Sequence, residues 1–174
     1  MNKRAAICVS TVITSLAAVV LVAAPANAVD TPVTVQIDGG ALSISAPVAL
    51  VAATPITAGV DAQTVAIALG DVTVTDNVGG TAGWAASVVA TQFTSANGTL
   101  PLTSGSYAPG AVATTGTVTA TPAASAAITT AATIATGTAA SGVNTAVWNP
   151  TITVAVPEGA LAGTYASTVT HSVL

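Results

Sequence analysis

Over much of its length this chain alternates between a larger apolar residue and a small polar one or alanine. That period of two puts one class of side chain on each face of an extended strand and cannot form the apolar stripe of a helix. Val33, Val35 and Ile37 alternate with Thr34 and Gln36 before the turn residues Asp38-Gly39-Gly40. Leu42 and Ile44 alternate with Ser43 and Ser45, and Val65, Ile67 and Leu69 with alanines up to Gly70-Asp71. Val72 and Val74 alternate with Thr73 and Thr75 up to Asp76-Asn77, and Ile152, Val154 and Val156 lie between Pro150 and Pro157. A last strand is expected from Thr164 to the C-terminus. Threonine and valine lose rotamer freedom in a helix and fit a pleated surface. Short alternating strands divided by Gly, Pro and Asx turns predict an all-β fold, an antiparallel sandwich or Greek-key-like barrel. Residues 111–146 are mostly Ala and Thr. Val118 between Thr117 and Thr119 marks a strand there, whereas 123–140 reads as a strand pair, a loop, an alanine-driven helix or a Thr/Pro-rich glycosylated stretch. Strands joined by flexible loops fit it best.

The amino end follows a different logic. Lys3 and Arg4 precede an apolar run from Ala5 to Ala24, and Pro25 leads into Ala26-Asn27-Ala28. Charge, apolar core and small-residue exit in that order predict a signal-peptide helix over 1–28, cleaved to leave 29–174 as a single β-sandwich domain. An uncleaved membrane anchor is the alternative for that run. Cleavage removes Cys8, Lys3 and Arg4, so the secreted part carries six carboxylates, one histidine, no lysine, no arginine and no cysteine. Nucleic-acid binding needs cations to neutralise phosphates, so it is excluded, as is attachment to anionic lipid once the signal is gone. The expected location is outside the cell.

Sites for chemistry are sparse. All five aromatics (Trp84, Phe93, Tyr107, Trp148 and Tyr165) lie beyond the signal. On a strand, Trp84, Ala86, Val88 and Ala90 share one face, and near the C-terminus so do Tyr165, Val169, His171 and Val173. Such faces either close a core or, if exposed, offer a tryptophan to a sugar ring. His171 is the only histidine, and no Gly-x-Ser-x-Gly elbow accompanies it. The carboxylates Asp30, Asp38, Asp61, Asp71, Asp76 and Glu158 mark no facing acid/base pair, and most flank turns. The chain is therefore read as a non-enzyme with no cofactor, the alternative being a calcium site that uses Asp71 or Asp76 with turn carbonyls. Leu100-Pro101-Leu102-Thr103-Ser104 lacks the apolar segment and basic tail of a sortase signal, and Asn97-Gly98 reads as a hairpin turn before it reads as a glycosylation sequon.

The run Val72–Ala86, Val-Thr-Val-Thr-Asp-Asn-Val-Gly-Gly-Thr-Ala-Gly-Trp-Ala-Ala, resembles the first half of the WxL domain of Gram-positive surface proteins. The similarity resumes at Trp148-Asn149-Pro150 and continues through Ile152, Val154 and Pro157 to Gly163-Thr164-Tyr165 and the terminal strand. The two Trp-x-Leu signatures become Trp84-Ala85-Ala86 and His171-Ser172-Val173, and Val78 stands where the family often has an arginine. The resemblance implies noncovalent attachment to cell-wall peptidoglycan or a surface polysaccharide. Trp84, Ala86, Trp148, His171 and Val173 are then the candidate wall-binding or core positions. The alternative is a structural subunit of an extracellular layer or fibre, paired with itself or other surface proteins through strand edges that no lysine protects.

Overall fold

The structure, a computed structural model, describes residues 30–48, 53–102 and 106–174. The expected signal peptide lies outside them. Two compact units divide the chain, 1–36 and 37–174. Of the first, residues 30–36 are described; they form no strand, and Val33 and Val35 stand 82% and 84% exposed.

Every regular element described in the second unit is a strand, and every strand pairing is antiparallel. The largest sheet is organised by β9 (Ala132–Trp148), a 17-residue strand. One edge of β9 is shared by two collinear strands, β3 (Val72–Asp76) on its C-terminal half and β4 (Trp84–Ala90) on its N-terminal half. The 77–83 loop leaves the sheet between them, held where Gly142 N–H donates to Gly80 O at 3.0 Å. The opposite edge of β9 is covered along its length by β8 (Val112–Pro122). β1 (Leu42–Ser45) pairs with the outer edge of β3, and β11 (Val169–Val173) with that of β4. Because β1 and β11 also approach each other, the sheet curls towards a barrel. A second sheet runs β2 (Gln63–Ala68), β10 (Thr151–Val156), β7 (Tyr107–Ala108), and a hairpin joins β5 (Phe93–Ser95) to β6 (Gly98–Leu100).

The alternation explains the core. β3 and β4 bury every second residue, so Val72, Val74, Trp84, Ala86 and Val88 point inward against Ile134, Ala146, Trp148 and Ile152. Between Ala86 and Ser87 the ladder skips one residue of β9, which lets both Ile134 and Ala135 face the core. Gly116, at φ +78, makes a second irregularity in β8, where a side chain would strike the Val143 carbonyl.

Three expectations need correction. The 33–37 alternation forms no strand, and Ile37 is 91% exposed. The final strand begins at Val169, not Thr164; Ala166 makes only an isolated bridge to Thr94. The hairpin at 93–100 turns on Ala96-Asn97, with Gly98 already in the ladder as the partner of Ser95. For 111–146, the strand reading holds in a longer form than expected, one continuous β8–β9 hairpin. Its register survives an alanine- and threonine-rich composition because β9 is paired on both sides.

Candidate functional site

Three of the positions singled out in the sequence, Trp84, Trp148 and His171, fall into two polar chains. In the first, β4 brings Trp84 across β9 directly opposite Gly137, where any side chain would overlap the indole. The Trp84 Nε1–H donates to Asn144 Oδ1 at 3.3 Å, and Asn144 Nδ2 donates to Asp76 Oδ2 at 2.9 Å. The remaining oxygen, Asp76 Oδ1, accepts the Val78 backbone N–H at 3.0 Å. Asp76 and Asn144 are both buried, so this chain ties β3, β4 and β9 together where the 77–83 loop departs. A backbone amide and an asparagine thus satisfy the Asp76 carboxylate at this turn.

In the second chain, Trp148 Nε1–H donates to the Tyr107 hydroxyl at 3.3 Å, and that hydroxyl lies 3.0 Å from His171 Nε2. The phenol has one proton to give. Having accepted from Trp148, it donates that proton to His171 Nε2, which assigns the histidine's own proton to Nδ1. The two rings are tilted, with centroids 5.8 Å apart. Burial raises the Tyr107 phenol to a pKa of about 12, the Trp148 hydrogen bond opposing the rise, and burial lowers the His171 imidazole. The imidazole is thereby held neutral and committed to a phenol. Tyr107 fills the place that a hydrolase would give to a serine or threonine nucleophile.

Among the sequence candidates, Trp84, Ala86 and Trp148 are buried, while His171 and Val173 are half-buried on β11, opposite Val88 and Ala86 of β4. No indole face is therefore available for stacking on a sugar. For the calcium expectation, both Asp76 oxygens are already engaged, Oδ2 by Asn144 Nδ2 and Oδ1 by the Val78 backbone amide. Asp71 Oδ1 accepts from Asn149 Nδ2 at 3.3 Å. No group of three or more His, Cys, Asp or Glu able to hold a metal occurs among the described residues.

Two features carry no signal in the linear pattern. A cleft of about 650 Å³ opens beside His171, lined by Ile44, Pro47, Ile67, Phe93 and Tyr165. On the outer face of the large sheet, cross-strand register sets Ser43, Thr75, Thr145 and Thr115 side by side on β1, β3, β9 and β8. Neighbouring strands lie about 4.8 Å apart, so these hydroxyls form an evenly spaced row. The Thr115 and Thr145 hydroxyls hydrogen-bond to each other, and Ser43 Oγ reaches the Thr75 carbonyl at 3.5 Å. Further along the sheet, Thr119 faces Thr138 and Thr121 faces Thr136.

No protein-family model, no curated protein and no solved structure matches the chain.

Proposed function

We propose that this is a secreted, non-catalytic surface protein that associates noncovalently with cell-wall peptidoglycan or a surface polysaccharide. The observation that carries the reading is the uncharged hydroxyl row Ser43, Thr75, Thr145 and Thr115 on the outer face of the sheet. Glycan strands present hydroxyls and amides at short repeats, and a row of hydroxyls donates and accepts without needing charge. Each such bond contributes only about 0.5–1.5 kcal/mol net, so useful affinity requires several engaged together. The similarity of Val72–Ala86 and of Trp148–Tyr165 to WxL domains supports the same reading; in the fold Val72 pairs directly with Trp148. The buried tryptophans act as scaffold in this account, and the sheet face makes the contact.

The test is co-sedimentation with purified, protein-free cell wall. Retention is expected, and raising the ionic strength should not weaken it, because the secreted part has no lysine or arginine whose attraction could be screened. Placing lysines at Thr75 and Thr145 should abolish it. Wild-type protein that stays in the supernatant would sink the proposal. A second reading, a structural subunit of an extracellular layer, is favoured by one observation: β8 has no ladder partner on its outer edge among the described residues.

A further inference from the structure

We infer that β8 is a contact between two copies of this chain: its outer edge pairs antiparallel with the same edge of a second copy, about a two-fold axis at Thr119. Wall binding is not needed for this. It takes the open edge on which the second reading rests and names what lies along it.

The groups that β8 offers follow from its ladder with β9. Thr119–Pro122 pair one for one with Thr138–Ala135. The Ala123 N–H donates to Ile134 O at 2.8 Å, and the Thr119 carbonyl accepts from Thr138 Oγ1 at 3.4 Å. In an antiparallel ladder the N–H and C=O of one residue point to the same side, and successive residues point to opposite sides. Thr119, Thr121 and Ala123 therefore turn theirs to β9, while Val118 and Ala120 turn theirs to the outer edge. Pro122 falls in the outward set, where its missing N–H costs the β9 ladder nothing. The irregularity beside Val118 lies in β9, at Ala139 with φ +51, and no residue from Thr117 to Pro122 has a positive φ. The alternation along β8 thus carries through to Thr117.

This edge is complementary to itself. An axis at Thr119 sets Val118 opposite Ala120 of the second copy, and Ala120 opposite Val118 of the second copy. Each such pair exchanges both of its main-chain N–H···O bonds. On the inner face the half-buried Val118 and Ala120 side chains meet across the axis, so each copy covers the other's. On the outer face the exposed Thr119 meets its own counterpart and Thr117 meets Thr121, pairs that stabilise an antiparallel sheet. The shared ladder stops where Pro122 meets Gly116, which leaves strand geometry at φ +78.

Charge favours a second copy at this place. The secreted part is acidic, yet the sequence from Asn77 to Pro157 contains no Asp, Glu, Lys, Arg or His. Neither β8 nor β9 behind it presents a like charge across the axis, and no lysine blocks the edge. The contact uses the same surface on both copies, so it closes as a dimer. The two large sheets become one, and the outer row of Thr138 and Thr119 runs on through Thr119 and Thr138 of the second copy.

Sedimentation equilibrium of the secreted chain, over a concentration series reaching about 1 mM, tests this. The pairing is short, below the roughly 1,200 Å² of stable interfaces, so wild type is expected to pass from monomer to dimer towards the concentrated end. Thr119→Lys and Thr119→Glu each set like charges against each other on the axis, and each should stay monomeric. Position 119 is exposed, so both variants should keep the wild-type melting midpoint. Mixed in equal amounts they should dimerise again, one to one, because lysine then faces glutamate. A wild type monomeric throughout overturns the pairing, whatever its co-sedimentation with cell wall. Growth past the dimer overturns the two-fold contact while the layer reading stands. Single variants that dimerise as wild type does place the contact elsewhere, and folded variants that fail to recover on mixing overturn the axis at Thr119.

Discussion

β4 and β8 are both strands of the same sheet, both flank β9, and both alternate in sequence, yet they spend their side chains differently. β4 buries Trp84, Ala86, Val88 and Ala90 and exposes or half-exposes the residues between. β8 buries nothing fully; its inner positions Val112, Val118 and Ala120 are only half-covered and its outer ones stand in solvent. Alternation therefore identifies a strand without saying what the strand contributes. What separates the two is side-chain volume opposite a partner layer: β4 carries an indole that spans β9 at Gly137, while β8 carries mainly threonine and alanine at the margin of the sheet. Stability should accordingly be concentrated in the β3–β9–β4 region and nearly absent from β8.

The largest effect tests that concentration directly. Trp148→Ala or Trp84→Ala should destabilise the domain by roughly 3–5 kcal/mol, combining lost burial with a cavity. Trp148→Ala also leaves the Tyr107 hydroxyl one donor short. Urea denaturation gives the figure, and a loss below about 1 kcal/mol for both variants would erase the contrast between the strands. Next in size is the chain from Asp76 to Trp84. Asp76→Asn turns an acceptor into a donor against Asn144 Nδ2 or the Val78 N–H, leaving a buried donor unsatisfied at a cost of about 1–3 kcal/mol. The conservative change has almost the same volume, so an unchanged midpoint would show that the polar chain, unlike the packing, adds nothing to this half of the sheet.

Much of the contrast was legible in the residues. Strand positions 72–76 and 151–156 follow from valine, isoleucine and threonine at period two, and the inward face of Trp84, Ala86 and Val88 follows from the same count. The partners of the two tryptophans were not legible. Asn144 lies 60 residues from Trp84 and 68 from Asp76, and Tyr107 lies 41 from Trp148 and 64 from His171, so only the register of β9 and β10 brings them together. The 33–37 segment shows the converse. Its local pattern is as good as that of β1, but a strand needs an edge to join, and a single sequence does not say whose.

The pH dependence sharpens the comparison from the β11 side. His171 has a folded-state pKa below the ordinary 6.5, because burial disfavours the imidazolium. Between those two values the unfolded chain takes up a proton that the folded one refuses. Stability should be level above about pH 6.5 and fall as the pH drops through the lowered value. Tyr107 acts at the other end: below pH 10 both states keep the phenol proton, and from there to about 12 only the folded state does, so stability falls as pH rises. His171→Gln should flatten the acid limb around pH 6 and leave the alkaline limb in place. An identical acid limb in the variant would mean that His171 does not produce it.

The smallest expected effect bears most on β8. Thr119 is exposed on the outer face, and its contribution to the fold is its backbone, whose carbonyl accepts from Thr138 Oγ1 at 3.4 Å. Thr119→Val keeps the β-branched shape and Thr119→Ala removes it, yet each should move stability by less than about 0.5 kcal/mol, as for surface positions generally. That near-silence is a property of an edge with no ladder partner among the described residues. If a strand from a second copy lies along β8, the neighbourhood of Thr119 changes with concentration, and the Val/Ala difference should then grow in concentrated samples, where cross-strand packing favours the branched side chain. Thermal midpoints of the two variants, measured dilute and concentrated, separate an edge that stays bare from one that is occupied only in the assembly.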